Sequence, residues 1–282
     1  MRLRSQSGRK LSNVLALVAS GMAAIIGLAF LIWILWDVIL QGIASINWSF
    51  FTQLPAPPGI SGGGLANAIL GTLIITIVAT VIGVPIGILA GTYLSEFGSG
   101  RLAKVVRFLS DIFVSAPSIV IGVFVYVILV LPMHGFSGLA GGVSLAIIMI
   151  PVVTRTTEEM LRLVSNQMRE AALALGAPYW HMVWNVAYKS ARTGMLTGIL
   201  LAIARVAGET APLLFTALNS PYWPEGLSKP MANLTVTIFN YAMSPYSSWQ
   251  SKAWGGALVI TVGVLATNIL ARVAIRTKRH KR

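Results

Sequence analysis

The sequence predicts an all-α, polytopic membrane protein with six transmembrane helices, and three observations support this fold class. The 282 residues are 56% hydrophobic and only 10% charged, whereas a soluble domain carries about 25% charged residues. Six apolar segments reach or approach the roughly 20 helical residues that cross a bilayer. Basic residues cluster in alternate connections between these segments, as expected for loops that stay on one side of a membrane.

The first segment follows a basic N-terminus, as the apolar core of a signal peptide does. Its uncharged run is longer than the roughly 7–15 residues of such a core, so we expect an uncleaved span. The fourth segment is short and has Pro151 near its end. The six segments are Val14–Trp36, Leu65–Leu94, Ile112–Leu131, Leu139–Thr154, Thr193–Leu218 and Ala253–Ala271.

The second segment contains four glycines around a proline, namely Gly71, Gly83, Pro85, Gly87 and Gly91. Small residues let helices approach closely, and a proline inside a helix introduces a kink. Such residues could serve gating, but we expect close packing to be their main role.

Charge distribution predicts the orientation of the chain. The two tails, the second-to-third connection and the fourth-to-fifth connection hold eighteen of the 21 Lys and Arg residues. By the positive-inside rule both termini are cytoplasmic, which an even number of spans requires. Because these bases flank membrane segments, we expect membrane lipid and no nucleic acid as a partner. The predicted organisation is a basic tail at 1–13, one transmembrane domain at 14–275 (core about 65–272, inner loop 155–192) and a basic tail at 276–282.

Two charged residues, Arg205 and Glu209, interrupt the fifth segment. A central Arg costs about 2.5–3.5 kcal/mol on insertion scales, so it normally faces a bundle interior or a wet cavity. Residues four apart share one face of a helix and can pair. The pair either lowers the cost of insertion or provides an oxyanion contact on a transport path, because the planar guanidinium matches phosphate-like ligands.

The inner interval Arg155–Arg192 is too helical to be a passive loop. Gly176 interrupts its helical pattern, and Pro178 suits the first turn of a new helix. We therefore expect two short helices with a bend between them. In the outer connection, residues 230–243 predict a short amphipathic helix on the surface. Asp111 either caps the third helix or belongs to an inner gate.

Several classes of protein are disfavoured. The chain has no cysteine, which excludes disulfides, thiolate nucleophiles and Cys-ligated metals. All three histidines (His134, His181 and His280) lie outside the predicted spans, so a haem-bearing redox subunit lacks intramembrane axial ligands. No GxxxxGK[ST] loop occurs, so the chain does not hydrolyse ATP itself. We expect no enzyme activity, metal site or cofactor in this chain; a passive channel stays open.

The sequence Glu170-Ala171-Ala172 followed by Gly176 resembles the EAA loop of bacterial ABC-importer permeases. In that family the loop inserts a coupling helix into a groove on the ATPase. The resemblance implies ATPase coupling through six residues: Glu170, Ala171, Ala172, Gly176, Ala177 and Pro178. The chain departs from the general pattern at residues 187–190, where the family has an apolar residue and Leu-Pro.

Three further stretches are similar to the phosphate-importer permeases of the PstA type: residues 204–218, 115–124 and 62–68. This resemblance implies a type I ABC importer (MetI-like) fold in a bacterial inner membrane. Expected partners are a PstC-type permease, two copies of a PstB-type ATPase that uses ATP and Mg, a PstS-type phosphate-binding protein and phosphate. Arg205 matches a family Arg implicated in phosphate passage, and Glu209 also fits the motif. A permease for phosphonate, sulfate or molybdate is the nearest alternative.

Overall fold

Helices form the regular structure of this computed structural model, which describes residues 6–60 and 62–277. An isolated antiparallel bridge joins Pro55 to Gly63. Half of the residues in the predicted basic tails, namely 1–5 and 278–282, lie outside the described residues. The α-helices are α1 (Gln6–Ser45), α2 (Trp48–Thr52), α3 (Ala66–Glu96), α4 (Arg101–Ser115), α5 (Ser118–Val125), α6 (Gly138–Arg162), α7 (Asn166–Ala174), α8 (Tyr179–Met182), α9 (Tyr188–Ala207), α10 (Ala211–Thr216), α11 (Leu234–Ala242) and α12 (Ser247–Thr277).

Two π-helical segments complete the helical elements of the described residues. Tyr126–Val130 extends α5, and Val183–Ala187 joins α8 to α9. Within the described ranges, five helices are long and apolar enough to cross a membrane: α1, α3, α6, the run from α8 to α9, and α12. Counting α4 and α5 with its π-helical extension as one bent span gives six. The all-α, six-span fold class is confirmed.

The third predicted segment, Ile112–Leu131, is wrong as one continuous helix. α4 and α5 meet at an angle of 106°, and Ala116 between them has extended backbone angles (φ −67°, ψ 135°). The cause is Pro117, because the residue before a proline is disfavoured in the helical region. The segment is therefore a helix, a sharp turn and a second helix.

The fifth predicted segment, Thr193–Leu218, is also broken. α9 ends at Ala207 and α10 begins at Ala211. Pro212 has no N–H to donate to the carbonyl of Gly208, so one helix cannot run through this point. At its other end the span begins earlier than predicted, since α8 and the following π-helical segment lead directly into α9.

The fourth segment is longer than predicted. α6 runs for 25 residues with Pro151 inside it, so the predicted end at Thr154 is wrong. Its polar C-terminal turns stay helical and carry two ion pairs between residues four apart, Arg155 with Glu159 and Arg162 with Glu158. Such pairs stabilise helices modestly.

α3 and α6 form the centre of the fold, and the glycines of α3 allow this contact. The four glycines named above are all buried. A Cβ atom on Gly87 would lie 2.7 Å from Cβ of Val153, and one on Gly91 would lie 2.5 Å from the carbonyl oxygen of Thr154. Side chains larger than hydrogen do not fit there, so the close packing predicted for these glycines is confirmed.

Two other helices, α11 and α1, differ in how much of their surface is buried within the chain. α11 covers most of the interval in which a surface helix was predicted, but it is packed inside, with Leu234, Val236 and Tyr241 buried. α1 is 40 residues long and packs on α12, where a Cβ on Gly42 would lie 2.7 Å from Cβ of Leu258. No residue in the most apolar window of α1 is buried within the chain, which leaves that surface to lipid or to other subunits.

Candidate functional site

A cavity of about 90 Å³ lies where α4, α5, α6 and the end of α9 meet. A cavity needs only about 10–15 Å³ to hold a water molecule, so a small hydrated ligand has room here. Arg205 and Glu209 are its ionisable lining residues. The other lining residues are mostly apolar: Phe113, Val114, Ala116, Ser118, Ile121, Ile148 and Val152.

Both predicted path residues thus line one cavity, but not as the helical pair that their spacing allows. Arg205 lies in the last turn of α9, and Glu209 lies in the break before α10. The five ion pairs among the described residues do not include one between them. The ion pair that their spacing allows, one of the two alternatives given above, is therefore not formed. Because Glu209 forms no direct ion pair with it, the guanidinium can donate hydrogen bonds to an anion.

The break after α9 is held by hydrogen bonds from within the chain. The N–H of Gly208 donates to the carbonyl of Arg205 at 3.2 Å, and the N–H of Glu209 donates to the carbonyl of Val206 at 3.1 Å. The hydroxyl of Thr235, in α11, donates to the carbonyl of Glu209 at 2.7 Å. The buried α11 helix therefore fixes the backbone on which Glu209 sits.

The turn between α4 and α5 brings a second positive feature to the cavity. Ser118 lines the cavity and is the first residue of α5, whose N-terminus has no side-chain cap. A helix N-terminus carries positive partial charge and exposes N–H groups to an anion. Together with Arg205 it adds positive potential to the lining of the cavity, which favours a small oxyanion. The prediction of a continuous third span missed this turn, although Pro117 signals it.

Asp111 does not cap the start of a helix, because it lies well inside α4. Its carboxylate accepts a hydrogen bond from Arg155 Nη1 at 3.3 Å. Both side chains are more than half exposed, and exposed pairs contribute only about 0–1 kcal/mol to stability. The capping alternative is therefore wrong.

The predicted bend in the inner interval is present, and we call residues 166–182, from α7 to α8, the elbow. α7 ends before Gly176, whose φ of +80° is a left-handed conformation, and Pro178 directly precedes α8. The predicted coupling residues Glu170, Ala171, Ala172, Gly176, Ala177 and Pro178 all fall in the elbow and are exposed or half-buried. Leu175 at its tip is 89% exposed. The elbow therefore presents an uncovered apolar and acidic surface.

Sequence reasoning missed the ion pairs that connect the elbow to the helices. Arg169 of α7 pairs with Glu96 at the end of α3, with 2.9 Å between Nη2 and Oε1. A second cluster joins Glu158 of α6 to Arg107 at 2.9 Å and to Arg162 at 2.7 Å. One signal in the sequence was available. The chain has only eight acidic residues, so an acidic residue close to a span is a candidate for an ion pair with a basic residue.

Comparison with known proteins shows the family. The family of binding-protein-dependent transport system inner membrane components matches residues 83–280. The phosphate transport system permease protein PstA of Yersinia pestis is 52% identical to this chain over 99% of the chain and 95% of that protein. The chain belongs to this family of permeases. PstA of Pasteurella multocida is 51% identical over 94% of the chain and 95% of that protein.

Solved structures agree with the fold. A chain of the inward-facing MetNI methionine ABC transporter matches with a TM-score of 0.62 at 20% identity, covering 76% of this permease and 95% of that chain. A chain of a bacterial alginate ABC transporter, solved in complex with an alginate-bound periplasmic protein, matches with a TM-score of 0.63 at 13% identity. It covers 96% of this permease and 95% of that chain. The predicted MetI-like fold is confirmed.

Proposed function

We infer that this permease is the transmembrane subunit of an ATP-driven importer of inorganic phosphate. The observation that carries the inference is identity of about one half, over nearly the whole chain, to proteins named phosphate transport system permease PstA. The cavity supports the same substrate class, since Arg205 and the N-terminus of α5 are both attractive to an oxyanion. The chain is not an enzyme; it forms half of the path through which phosphate crosses the membrane.

Arg205 is the proposed contact for phosphate on this path, and Glu209 is the proposed negative neighbour. A site for transport must bind its ligand weakly enough to release it. A single guanidinium with a carboxylate in the same small cavity meets that requirement, because the negative charge of Glu209 repels the bound anion and so weakens its binding. The observation that the two side chains line one cavity without pairing supports this division of roles.

The elbow is the proposed contact for a cytoplasmic ATPase, and Glu170, Ala171, Ala172, Gly176, Ala177 and Pro178 are its coupling residues. Its exposure, and the bend at Gly176, support this role. The proposed complex pairs this chain with a PstC-type permease, a PstB-type ATPase dimer that binds ATP and Mg, and a PstS-type phosphate-binding protein outside. Both termini then lie on the cytoplasmic side of a bacterial inner membrane, in agreement with the positive-inside rule.

Uptake by the reconstituted complex tests the function. Proteoliposomes that contain this chain and its three partners are expected to accumulate radiolabelled phosphate only when ATP and phosphate-loaded binding protein are supplied. Excess unlabelled sulfate, molybdate or phosphonate should leave the rate unchanged. Transport of one of those anions in place of phosphate would contradict the phosphate assignment and favour the alternative oxyanion.

Substitution of Arg205 tests the site within the same assay. A hydrogen bond to a charged group contributes about 1.5–3 kcal/mol, and each 1.4 kcal/mol is a factor of ten. Arg205→Gln is therefore expected to lower uptake by about 100-fold, with assembly intact. Arg205→Lys keeps the charge but loses the planar fork, so an intermediate loss is expected. Arg192→Gln removes a charge from the same helix far from the cavity and serves as the control. Normal uptake by Arg205→Gln would contradict the proposed role of Arg205 as the phosphate contact.

A further inference from the structure

The first arm of the elbow, α7, has little apolar anchorage of its own. None of the nine residues of α7, all within the described range, is buried. α7 packs against α8 and the π-helical segment that follows it, both of which belong to the next span. A force applied to α7 can therefore reach α9 and Arg205 through that span, but it needs another connection if α3 and α6 are to move with it.

One buried carboxylate provides that connection. The side chain of Glu96, the last residue of α3, is 1% exposed, and that of its partner Arg169 is 15% exposed. The Tyr179 hydroxyl, at the start of α8, donates to the other oxygen of the same carboxylate at 3.0 Å. Arg169 Nη2 also donates to the carbonyl of Leu161, near the end of α6, at 2.8 Å. Four helices thus converge on Glu96 and Arg169.

The two side chains of the elbow that contact Glu96 lie on opposite sides of its bend. Arg169 lies before the bend at Gly176 and Tyr179 lies after it. Both arms of the elbow therefore hold the same carboxylate, which stands at the end of α3. α3 in turn packs along α6 through its buried glycines, and α6 contributes Ile148 and Val152 to the cavity. A continuous chain of contacts leads from the elbow to the site.

We propose that Glu96 is a positioning residue that makes α3 move with the elbow, so that it transmits ATPase closure to the cavity around Arg205. Buried charge pairs with good geometry resist separation, because an unpaired buried charge is strongly unfavourable. The exposed pair of Asp111 with Arg155 does not have this property, since solvent screens it. This inference rests on the proposed coupling of the elbow to an ATPase.

Coupled transport by the reconstituted complex provides the first test. The number of phosphate ions taken up per ATP hydrolysed is measured for Glu96→Gln and Arg169→Gln. Each is expected to lower this ratio by about tenfold, within the roughly 5–150-fold range of coupling between sites, while ATP hydrolysis continues. Arg162→Gln is the matched control: it removes an exposed arginine from an ion pair whose carboxylate, Glu158, keeps Arg107.

A distance measurement separates transmission from simple stability. The chain has no cysteine, so Leu175→Cys and Val81→Cys introduce two spin labels, at the tip of the elbow and on an exposed position of α3. In the otherwise unchanged permease, the distance between the labels should stay the same with and without ATP. In Arg169→Gln it should change between the two states, because α3 no longer follows the elbow.

Two further variants decide the outcome if single substitutions prevent assembly. The exchange Glu96→Arg with Arg169→Glu restores the pair and should recover much of the ratio, and Tyr179→Phe removes only one hydrogen bond and should lower it slightly. An unchanged ratio in assembled Arg169→Gln, or no recovery in an assembled exchange variant, would overturn the inference. An unmodified complex that hydrolyses ATP without phosphate uptake would instead overturn the proposed function.

Discussion

At the scale of single residues, backbone conformation explains as much of this protein as side-chain chemistry does. Gly176 forms the bend of the elbow with φ of +80°, which residues with a side chain adopt at a cost of roughly 1–2 kcal/mol. Its N–H also donates to the carbonyl of Leu173 at 2.9 Å. A residue chosen for its lack of a side chain thus sets the angle at which the proposed coupling surface is presented.

Gly176→Pro is expected to uncouple ATP hydrolysis from uptake. Proline fixes φ near −65° and has no N–H, so both the bend and its hydrogen bond are lost. ATP consumption and phosphate uptake are measured together in proteoliposomes. Gly226→Pro is the control, since Gly226 also has a left-handed φ (+149°) but lies between α10 and α11. Coupling that survives Gly176→Pro would argue against the elbow as the ATPase contact.

At the scale of elements, much of the architecture could be read from the sequence, and the failures have identifiable causes. Hydropathy located six apolar segments, although two of them are broken and the fourth helix is longer than its segment; Gly176 and Pro178 indicated the bend in the inner loop. Hydropathy measures composition but not direction, so a chain that turns by 106° within apolar residues still resembles one span. Pro117 and Pro212 were the only local signals of the two interruptions, and both interruptions border the cavity.

Side-chain partners far apart in sequence were beyond prediction for a different reason. Glu96 and Arg169 are brought together by the packing of α3, α6 and α7. The scarcity of acidic residues marks Glu96 as a candidate for an ion pair, but nothing in the sequence indicates Arg169 as its partner. The helical spacing of Arg205 and Glu209 allowed an ion pair only if α9 continued past Glu209, and it does not. The chemistry of the cavity was predictable from its residues, whereas its geometry required the fold.

Packing of α3 on α6 offers a prediction about stability. Gly87→Val places a Cβ 2.7 Å from Cβ of Val153, and overpacking of a core typically costs about 1–3 kcal/mol. The apparent Tm of the purified permease in detergent should therefore fall. Gly27→Val is the control, because a Cβ on Gly27 of α1 meets nothing within 4 Å. Equal melting temperatures for the two variants would contradict the packing described for Gly87.

At the scale of the whole molecule, the distribution of charge distinguishes the two ends of the bundle. Four of the eight acidic residues form the ion pairs found among the described residues, and all four lie in or next to the basic connections. The end of the bundle that carries these connections is therefore positively charged overall, cross-linked by ion pairs and topped by the elbow. The opposite end holds the loops that join α2 to α3 and α10 to α11. Its basic residues are Lys229 in the second of these loops and Lys252 near the start of α12.

This asymmetry predicts the orientation of the permease in a cell membrane. Leu175→Cys, at the tip of the elbow, should react with a membrane-impermeant maleimide only in inside-out vesicles. Trp223→Cys, exposed in the loop between α10 and α11, should react only in intact cells or right-side-out vesicles. The chain contributes no background labelling, because it has no cysteine of its own. Labelling of Leu175→Cys from outside would reverse the orientation and remove the elbow from contact with a cytoplasmic ATPase.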